Sequence, residues 1–418
     1  MSGERNWAEN LTYSAERVVR PRTAGELRDI VRAGGPLRAL GTRHCFNDIA
    51  DTTGALVSLA DMPREIDVTA AGVRVSGGVR YGDVAPVLEE NGRALANLAS
   101  LPHISVAGAV ATGTHGSGDR VPSLSAAVRA VTILTPDGDD VTLTREDADF
   151  GGAVVHLGAL GIVTSLELDT EPSYQVAQHA FDAPRWDAIL ADYDEVTSLG
   201  DSVSIFTTWR DPEAADQLWV KTRVTGGAAG VDESAIARLG ARAADGPRHP
   251  IPGVGAEACN PQGGVPGPWF ERLPHFRMDF TPSVGAELQS EFFVARGDAP
   301  AAIDAVRGIA DVIAPLLHVC EIRSMAADDL WLSPSSGRDS VALHFTWRLD
   351  EPAVRAALPL LEGALAPFDA RPHWGKVFTR PGDEVAAQYV RMDDFRALRE
   401  KLDPEGRMQN DFTRRLGL

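Results

Sequence analysis

The chain contains 418 residues, of which 44% are hydrophobic and 24% are charged, a composition typical of a globular protein long enough for two domains. Its formal net charge of −19 at pH 7 argues against nucleic-acid and anionic-membrane partners, whose phosphates would repel the chain. No apolar signal region or membrane-spanning run occurs, and three widely spaced cysteines fit neither a disulfide framework nor a zinc cluster. We therefore expect a cytoplasmic, reduced and monomeric protein without a metal site.

Two strand-and-helix units are predicted at the start of the chain. Residues 18–40 should form a strand, a helix and a strand, because Thr23 and Glu26 have the spacing of a capping box at the helix start. A second unit should contain a strand at residues 73–75 and a helix capped by Asp83. The first part of the chain is therefore predicted to mix short strands and helices.

The middle of the chain begins with a hairpin at residues 131–143, around the turn Pro136-Asp137-Gly138, and a strand through residue 168. The character changes near residues 171–174, where we place a domain boundary. Residues 245–274 are rich in Gly and Pro and should run as a long excursion over the surface, either a lid or an irregular connection. Strands and helices should then alternate, at residues 287–294, 301–312, 319–325, 341–348 and 353–365.

Two loops of small residues are the most informative feature of the first half. One runs from Leu40 to Asp48 and the other from Gly108 to Gly118, and each contains a histidine and hydroxyl side chains. In such loops the backbone can approach a ligand closely and point N–H groups at it. Neither loop has the spacing of the common nucleotide motifs. Together they are suited to hold a diphosphate from two sides, although either alone could be an ordinary turn.

Two later strands should each present polar chemistry on one face. Strand alternation places Glu321 with Arg323, and His344 with Thr346, opposite apolar neighbours. An exposed sheet face is one interpretation. The mixture of carboxylate, guanidinium, imidazole and hydroxyl groups instead favours a polyol or sugar ligand, which needs both donors and acceptors. Lys376, in a tight aromatic setting after Pro372, is either a surface charge or a functional residue.

These segments resemble the vanillyl-alcohol-oxidase-type flavoproteins, and more narrowly their sugar-lactone and alditol oxidase branch. The resemblance covers nearly the whole chain and is carried by residues 41–44, 101–118, 264–269, 287–291, 321–323, 344–347 and 373–376. It implies an α+β fold, with a two-subdomain FAD-binding domain and an α+β substrate-binding cap domain built on a large antiparallel sheet. The expected domains are residues 1–174 (FAD-binding), 175–374 (cap) and 375–418 (a C-terminal segment that returns to the FAD-binding domain).

The resemblance also implies FAD, joined covalently through His44. Cys45 departs from the serine that often follows this histidine in the family, and we interpret it as a small substitute. The implied cofactor-binding residues are Gly41, Thr42, Arg43, His44, Cys45, Phe46, Ser105, Gly108, Val110, Gly113, Thr114, His115, Gly116, Ser117, Gly118, Gly161, Ile162, His373 and Asn410. The implied substrate-binding residues are Ser105, Glu321, Arg323, His344, Thr346 and Lys376, with Arg323 and Lys376 catalytic.

The expected reaction is oxidation of the terminal primary alcohol of an acyclic polyol, such as xylitol or sorbitol, to the aldose, with reduction of O2 to hydrogen peroxide. Three alternatives remain at this point. The substrate could be a sugar 1,4-lactone, such as gulono- or arabinono-1,4-lactone. The electrons could pass to a quinone or a cytochrome, which would make the protein a dehydrogenase. The chain could also bind carbohydrate without a flavin or a reaction.

Overall fold

Short strands and helices follow one another through residues 3–224, 230–280 and 287–418, the parts of the chain that the computed structural model describes. The strands are β1 (Arg17–Val19), β2 (Leu37–Ala39), β3 (Ala55–Val57), β4 (Ile66–Val68), β5 (Val73–Ser76), β6 (Arg93–Ala94), β7 (Val128–Leu134), β8 (Asp140–Thr144), β9 (Ile162–Leu168), β10 (Glu171–Pro172), β11 (Gln175–Asp182), β12 (Ser202–Thr207), β13 (Gln217–Arg223), β14 (Arg242–Ala243), β15 (Gly267–Pro268), β16 (Glu287–Ala295), β17 (Leu317–Met325), β18 (Ser340–Arg348) and β19 (Arg371–Pro372). The helices are α1 (Ala24–Arg32), α2 (Tyr81–Glu90), α3 (Val106–Ala111), α4 (Phe150–Val154), α5 (Trp186–Ala191), α6 (Tyr193–Thr197), α7 (Glu233–Arg238), α8 (Ala299–Arg307), α9 (Ala310–Ile313), α10 (Glu351–Leu365), α11 (Gly382–Ala386), α12 (Met392–Leu402) and α13 (Asp411–Arg415). None of the helices in these ranges combines the length and apolar character needed to cross a bilayer.

The first sheet is parallel and three-stranded, in the order β1-β3-β2, and α1 connects its outer strands. The predicted strand, helix and strand are therefore confirmed. The Thr23 hydroxyl accepts the backbone N–H of Glu26 at 3.1 Å, which caps α1. In a complete capping box the Glu26 carboxylate would accept the backbone N–H of Thr23. Here it accepts the N–H of Arg22, one residue before the cap.

The prediction that Asp83 caps α2 is wrong. The helix begins at Tyr81, and Asp83 lies in its first turn, where it accepts the backbone N–H of Arg80 at 3.1 Å. The earlier start is possible because the N–H groups of Tyr81 and Gly82 donate to the carbonyls of Ile104 and Pro102. Tertiary contacts, which the local pattern does not contain, satisfy these two donors.

The second sheet is antiparallel, in the order β4-β5-β9-β7-β8, and it includes the predicted hairpin, with Ile133 opposite Val141. Its apolar face packs against α2, α3 and the C-terminal helices in one buried core. The first glycine loop leads out of β2 in the first sheet. The second predicted loop begins inside α3, which this core buries, so residues 108–111 are helical and residues 112–118 form the loop.

Nine strands of the described chain form the large sheet, along the path β14-β11-β13-β12-β17-β18-β16-β19 with β15 paired to β11. All of its paired strands are antiparallel. One face packs against α8 and α10, and it buries the alternate apolar residues of β17 and β18, among them Ile322 and Phe345. The expected α+β fold with a large antiparallel sheet is confirmed. The single helix predicted at 301–312 is instead two, α8 and α9, separated at Gly308 and Ile309.

Residues 245–274 do more than cross the surface. They lack long regular elements, as predicted, but His249, Cys259 and Asn260 are buried. Cys259 packs with Phe206 and Trp219 against the large sheet. The prediction of a surface excursion is therefore wrong for this part of the segment, because its apolar side chains cover the sheet face that α8 and α10 leave free.

The C-terminal residues pack against the N-terminal half. The Asn410 side chain accepts the N–H of Thr413 at 2.9 Å, and its amide donates to the carbonyls of Asp48, Ile49 and Asp51 at 2.9–3.1 Å. Met408 is buried among residues of the first sheet and α1. One amide therefore caps α13 and fixes the backbone that follows the first glycine loop.

We expect Asn410→Ala to lower the free energy of unfolding by about 2–3 kcal/mol, because three buried carbonyls and a helix cap would lose their partner. Chemical denaturation followed by circular dichroism measures the change. Asp411→Ala, at the exposed neighbouring position, is the control and should cost less than about 0.5 kcal/mol. Equal effects of the two substitutions would contradict this role of Asn410.

Candidate active site

The two glycine loops touch each other. A Cβ atom placed on Gly41 would lie 2.9 Å from Oγ of Ser105, and one placed on Gly108 would lie 2.7 Å from the same atom. The backbone N–H of Ser105 donates to Oγ1 of Thr42 at 3.2 Å. A Cβ at either position would therefore have to displace the Ser105 hydroxyl, and the one on Gly41 would do so across the contact between the two loops. In the same stretch Arg43 has a φ of +65°, a conformation uncommon for residues with a side chain.

A continuous cavity of about 330 Å³ runs from these loops to the polar face of the large sheet. It brings together most of the site residues expected from sequence, which are Gly41, Thr42, Arg43, His44, Cys45, Phe46, Ser105, Gly108, Thr114, His115, Ile162, Glu321, Arg323, His344, Thr346, His373 and Lys376. The remaining expected residues do not line it; they are Val110, Gly113, Gly116, Ser117, Gly118, Gly161 and Asn410.

Those remaining residues occupy supporting positions. Val110 is buried in the core below the second loop. The Ser117 hydroxyl lies 2.5 Å from the hydroxyl of Ser202, and Gly118 donates its N–H to the carbonyl of Ser324, so both residues connect the second loop to the large sheet. Gly161 has a φ of +143°, and a Cβ there would lie 2.5 Å from the carbonyl of Leu134. These residues lie behind the residues that line the cavity and support them.

His44 lies at the junction of the first loop and residues 373–376. Its ring stacks on Trp7 with centroids 5.4 Å apart. Its Nδ1 is buried and has no hydrogen-bond partner in the described chain. Burial, with nearby Lys376, lowers the pKa of His44 to about 4, so the imidazole is neutral at pH 7. A neutral ring nitrogen on the cavity wall is thus available to a ligand.

Cys45 and Phe46 hold the first loop against the chain at Gly375. The backbone N–H of Phe46 donates to the carbonyl of Gly375 at 2.8 Å. A Cβ on Gly375 would lie 3.0 Å from Sγ of Cys45, so the two segments are in close contact. Burial raises the pKa of the Cys45 thiol to about 11, which keeps it protonated and unreactive at pH 7. Lys376 follows directly and enters the cavity.

The polar face of the large sheet is buried, which excludes the interpretation as an exposed sheet face. Glu321, Arg323 and Thr346 are 5%, 6% and 7% exposed. Nε of Arg323 lies 3.6 Å from Oε1 of Glu321, and its terminal NH2 nitrogen lies 2.9 Å from Oε1 of Glu291. One guanidinium is thus paired with two carboxylates, as buried charges require.

The same face fixes Lys376 through an amide. Nε2 of His344 lies 3.1 Å from Oε1 of Gln289, and Nζ of Lys376 donates to that same oxygen. Burial lowers the pKa of Lys376, and it lowers the pKa of His344 to about 3. Burial also works to lower the pKa of Arg323, but Glu321 and Glu291 raise it above the usual value. Arg323 is therefore the permanent cation, and Lys376 gives up its proton more easily.

His115 connects the second loop to this charged group. Its Nε2 lies 3.0 Å from Oε1 of Glu291, and its Nδ1 lies 2.8 Å from the carbonyl of Gly116. Burial alone would raise the pKa of Glu291, but the neighbouring His115 and Arg323 hold it well below the usual value. His373, whose pKa burial lowers to about 3, accepts the N–H of Gly375 through Nδ1. His115 and His373 thus hold the second loop and residues 373–375 in place beside the charged group.

The site residues expected from sequence did not include Glu287, Gln289, Glu291 and His275, which also line the cavity. The first three alternate along β16, as the recognised residues do along β17 and β18, so the period of two could have identified them. His275 lies in an irregular segment where no periodic signal exists. Only the folded chain brings it within 2.8 Å of Glu321.

Comparison with known proteins agrees with this arrangement. A family described as an FAD binding domain matches residues 15–144, and a family described as D-arabinono-1,4-lactone oxidase matches residues 288–416. An alditol oxidase of a Streptomyces species is 51% identical over 98% of both chains. The L-gulono-1,4-lactone dehydrogenase of Mycobacterium tuberculosis is 26% identical over 98% of both chains, and the L-gulonolactone oxidase of Mus musculus is 23% identical over 97% of this chain and 96% of the mouse protein.

Among solved structures, the cholesterol oxidase of Brevibacterium sterolicum has a TM-score of 0.79 at 14% identity, covering 99% of this chain and 96% of that protein. A solvent-stable cholesterol oxidase gives a TM-score of 0.78. At this identity the likeness concerns the fold. Fold and site therefore define the class of flavin-dependent oxidoreductases acting on CH–OH groups. The chain belongs to the FAD-dependent family that contains alditol oxidase and the sugar-1,4-lactone oxidases.

The residues present fit FAD. Gly41 and Gly108 line the cavity without side chains, so a diphosphate can approach the backbone of both segments there. This suits an acidic chain, which has no bulk positive charge to attract phosphates. The unpartnered Nδ1 of His44 lies farther along the same wall. The cavity then continues to the charged sheet face, where a substrate would meet the cofactor.

We expect Glu291→Gln to flatten the loss of stability at acid pH. The folded-state pKa of Glu291 is held below that of a free glutamate, about 4.3. Its contribution to stability is therefore present above that pH and is lost as the pH falls through the folded-state pKa. An amide does not titrate, so this loss should disappear. Unfolding midpoints from neutral pH to about pH 3 measure the slope, with the exposed Glu400→Gln as control; equal slopes in all three proteins would contradict the prediction.

Proposed function

We propose that the protein is an FAD-dependent alditol oxidase, which oxidises the terminal primary alcohol of xylitol or sorbitol to the aldose and reduces O2 to hydrogen peroxide. The observation that carries the proposal is the buried sheet face, where carboxylate, guanidinium, imidazole and hydroxyl groups line one cavity with Lys376. An acyclic polyol has a hydroxyl on every carbon and can use donors and acceptors in alternation. The 51% identity with an alditol oxidase supports the same substrate class.

FAD, when bound, supplies the hydride acceptor and the route for electrons to O2. We propose that the two glycine loops, with the other cofactor residues named from the resemblance, hold it, and that His44 is its covalent attachment point. The neutral, unpartnered Nδ1 of His44 supports this assignment, because a covalent bond would satisfy an atom that otherwise remains buried and unpaired. The stack with Trp7 and the bond from Phe46 to Gly375 keep the ring in place.

The substrate hydroxyls are proposed to bind across the sheet face. Glu321, whose pKa Arg323 and His275 lower against the effect of burial, is ionised and can only accept hydrogen bonds. Arg323 only donates, while Thr346 and Ser105 can do either. Fixing several hydroxyls at once would hold the terminal carbon in one orientation, which can supply roughly 7–11 kcal/mol toward the barrier.

The hydroxyl proton must leave during the oxidation, because a primary alcohol hardly ionises at neutral pH. We propose that Arg323 and Lys376 stabilise the developing negative charge on the oxygen, an effect that is large in a site shielded from water. In its neutral form, which burial favours by lowering its pKa, Lys376 would instead take the proton. Gln289 accepts a hydrogen bond from Nζ of Lys376 and so fixes its position.

The runner-up is a sugar 1,4-lactone as substrate, favoured by the family match at residues 288–416 and by the lactone-acting relatives. These relatives are only 23–26% identical to the chain, whereas the alditol oxidase is 51% identical. The acidic net charge supports the further proposals of a monomer and of an enzyme without nucleic-acid or membrane partners. The three free cysteines support a cytoplasmic location.

Oxygen consumption tests the function. We expect xylitol and sorbitol to be oxidised with formation of peroxide, and gulono-1,4-lactone to be oxidised far more slowly.

Lys376→Met should lower kcat at least ~10²-fold while the visible absorbance of the flavin remains, because charge stabilisation is lost and cofactor contacts are kept. Lys401→Met, which removes an exposed lysine paired with Asp149, is the control. Faster oxidation of the lactone, or near-normal turnover in Lys376→Met, would contradict the proposal.

Denaturation in acid tests the covalent link. Flavin should stay with the precipitated wild-type protein and pass into the supernatant from His44→Ala, which lacks the ring nitrogen. His103→Ala removes a neighbouring imidazole that does not line the cavity and should retain the flavin. Acid-stable yellow colour in His44→Ala would exclude this attachment point.

A further inference from the structure

A buried chain of hydrogen bonds behind Glu321 has no part in the proposed reaction. Nε2 of His275 lies 2.8 Å from Oε1 of Glu321, and Nδ1 of His275 lies 3.1 Å from Nζ of Lys221. The same Nζ donates to the carbonyl of Leu273. Lys221 is 1% exposed and His275 is 4% exposed, so neither group reaches solvent.

The direction of these hydrogen bonds follows from the chemistry of the groups. Ionised Glu321 only accepts, so Nε2 of His275 must carry a proton and donate it. Burial lowers the pKa of His275 to about 4, so the ring is neutral and its Nδ1 is an acceptor. Nζ of Lys221 supplies the donor that this Nδ1 needs. Lys221 therefore stabilises the tautomer of His275 that Glu321 requires, and His275 fixes Oε1 of Glu321.

The position of His275 is itself tightly held. The Asn260 amide donates to the carbonyls of Pro274 and Phe276, on either side of the histidine. The imidazole packs edge-on against Phe206 and Trp219, with centroids 5.5 and 5.3 Å away. A ring held in this way can impose a geometry on its partner.

The two oxygens of Glu321 then differ. Oε1 accepts from His275 and faces Nε of Arg323 at 3.6 Å. Within the described part of the chain, no hydrogen bond reaches Oε2, and Glu321 lines the cavity. A carboxylate held through one oxygen presents the other in a single direction.

We propose that His275, supported by Lys221, is a positioning residue that aims Oε2 of Glu321 at one particular hydroxyl of the substrate, and so makes that hydroxyl a requirement for efficient oxidation. The inference rests on the proposed polyol oxidation and adds a specificity determinant supplied by the irregular segment after residue 245. A substrate that lacks this hydroxyl leaves an oriented, buried acceptor unpaired, which a site of this kind penalises strongly.

The experiment compares xylitol with a set of monodeoxypentitols, each lacking one hydroxyl, in the flavin-loaded enzyme. We expect the wild type to prefer xylitol over at least one deoxy compound by ~10-fold or more in kcat/KM. His275→Leu should raise KM for xylitol and bring that preference close to one, because Glu321 is no longer held. His275→Gln keeps a donor toward Glu321 and should restore much of the preference.

Gln262→Leu is the control for a general loosening of the segment. Among the residues that the structure describes, the Gln262 side chain bonds to the backbone of Arg248 alone. It also lies outside the cavity lining, so its loss should leave the preference intact. If His275→Leu does not fold, Lys221→Met, which keeps the imidazole and frees its tautomer, should reduce the preference as well. An unchanged preference in both variants would overturn the role of His275. A wild type that oxidises no polyol would instead reject the proposed function and this inference with it.

Discussion

Pairing of buried charges is the constraint on which the whole site depends. Arg323 lies in a water-poor interior, where an isolated ion would cost several kcal/mol. Glu321 on its own strand and Glu291 on β16 balance it, and His115 extends the network into the second glycine loop. Removing Arg323 would leave both carboxylates without the cation that they share. Arg323, the proposed catalytic cation, is therefore also part of the structural support of the site.

The antiparallel sheet makes this pairing possible. Strands β16, β17 and β18 are neighbours, so their alternate residues form one polar layer while the opposite layer packs on helices. Gln289 bridges His344 and Lys376 within that layer. The irregular segment after residue 245 closes the remaining side with His275. The strands thus set the register of the polar layer, and the irregular segment adds His275 to it.

Sequence reasoning succeeded where a local pattern determines the outcome. The alternation along β17 and β18, the hairpin of β7 and β8, and the glycine loops are all visible in the residues themselves. It failed where distant parts of the chain decide. The start of α2 depends on carbonyls beyond residue 100, and the burial of Cys259 depends on its packing with Phe206 and Trp219 of the large sheet. The role of His275 depends on its contact with Glu321, which lies 46 residues farther along the chain. Such contacts have high sequence separation, and no short window contains them.

The joint between the two halves carries a consequence for how ligands enter. Gly118 pairs its backbone with Ser324, and Asp119 next to it binds both the Ser324 hydroxyl and the guanidinium of Arg296. A hinge motion that separates the two halves would break these contacts, together with the contact between His115 and Glu291. We therefore expect ligands to bind and leave without a hinge motion that separates the two halves.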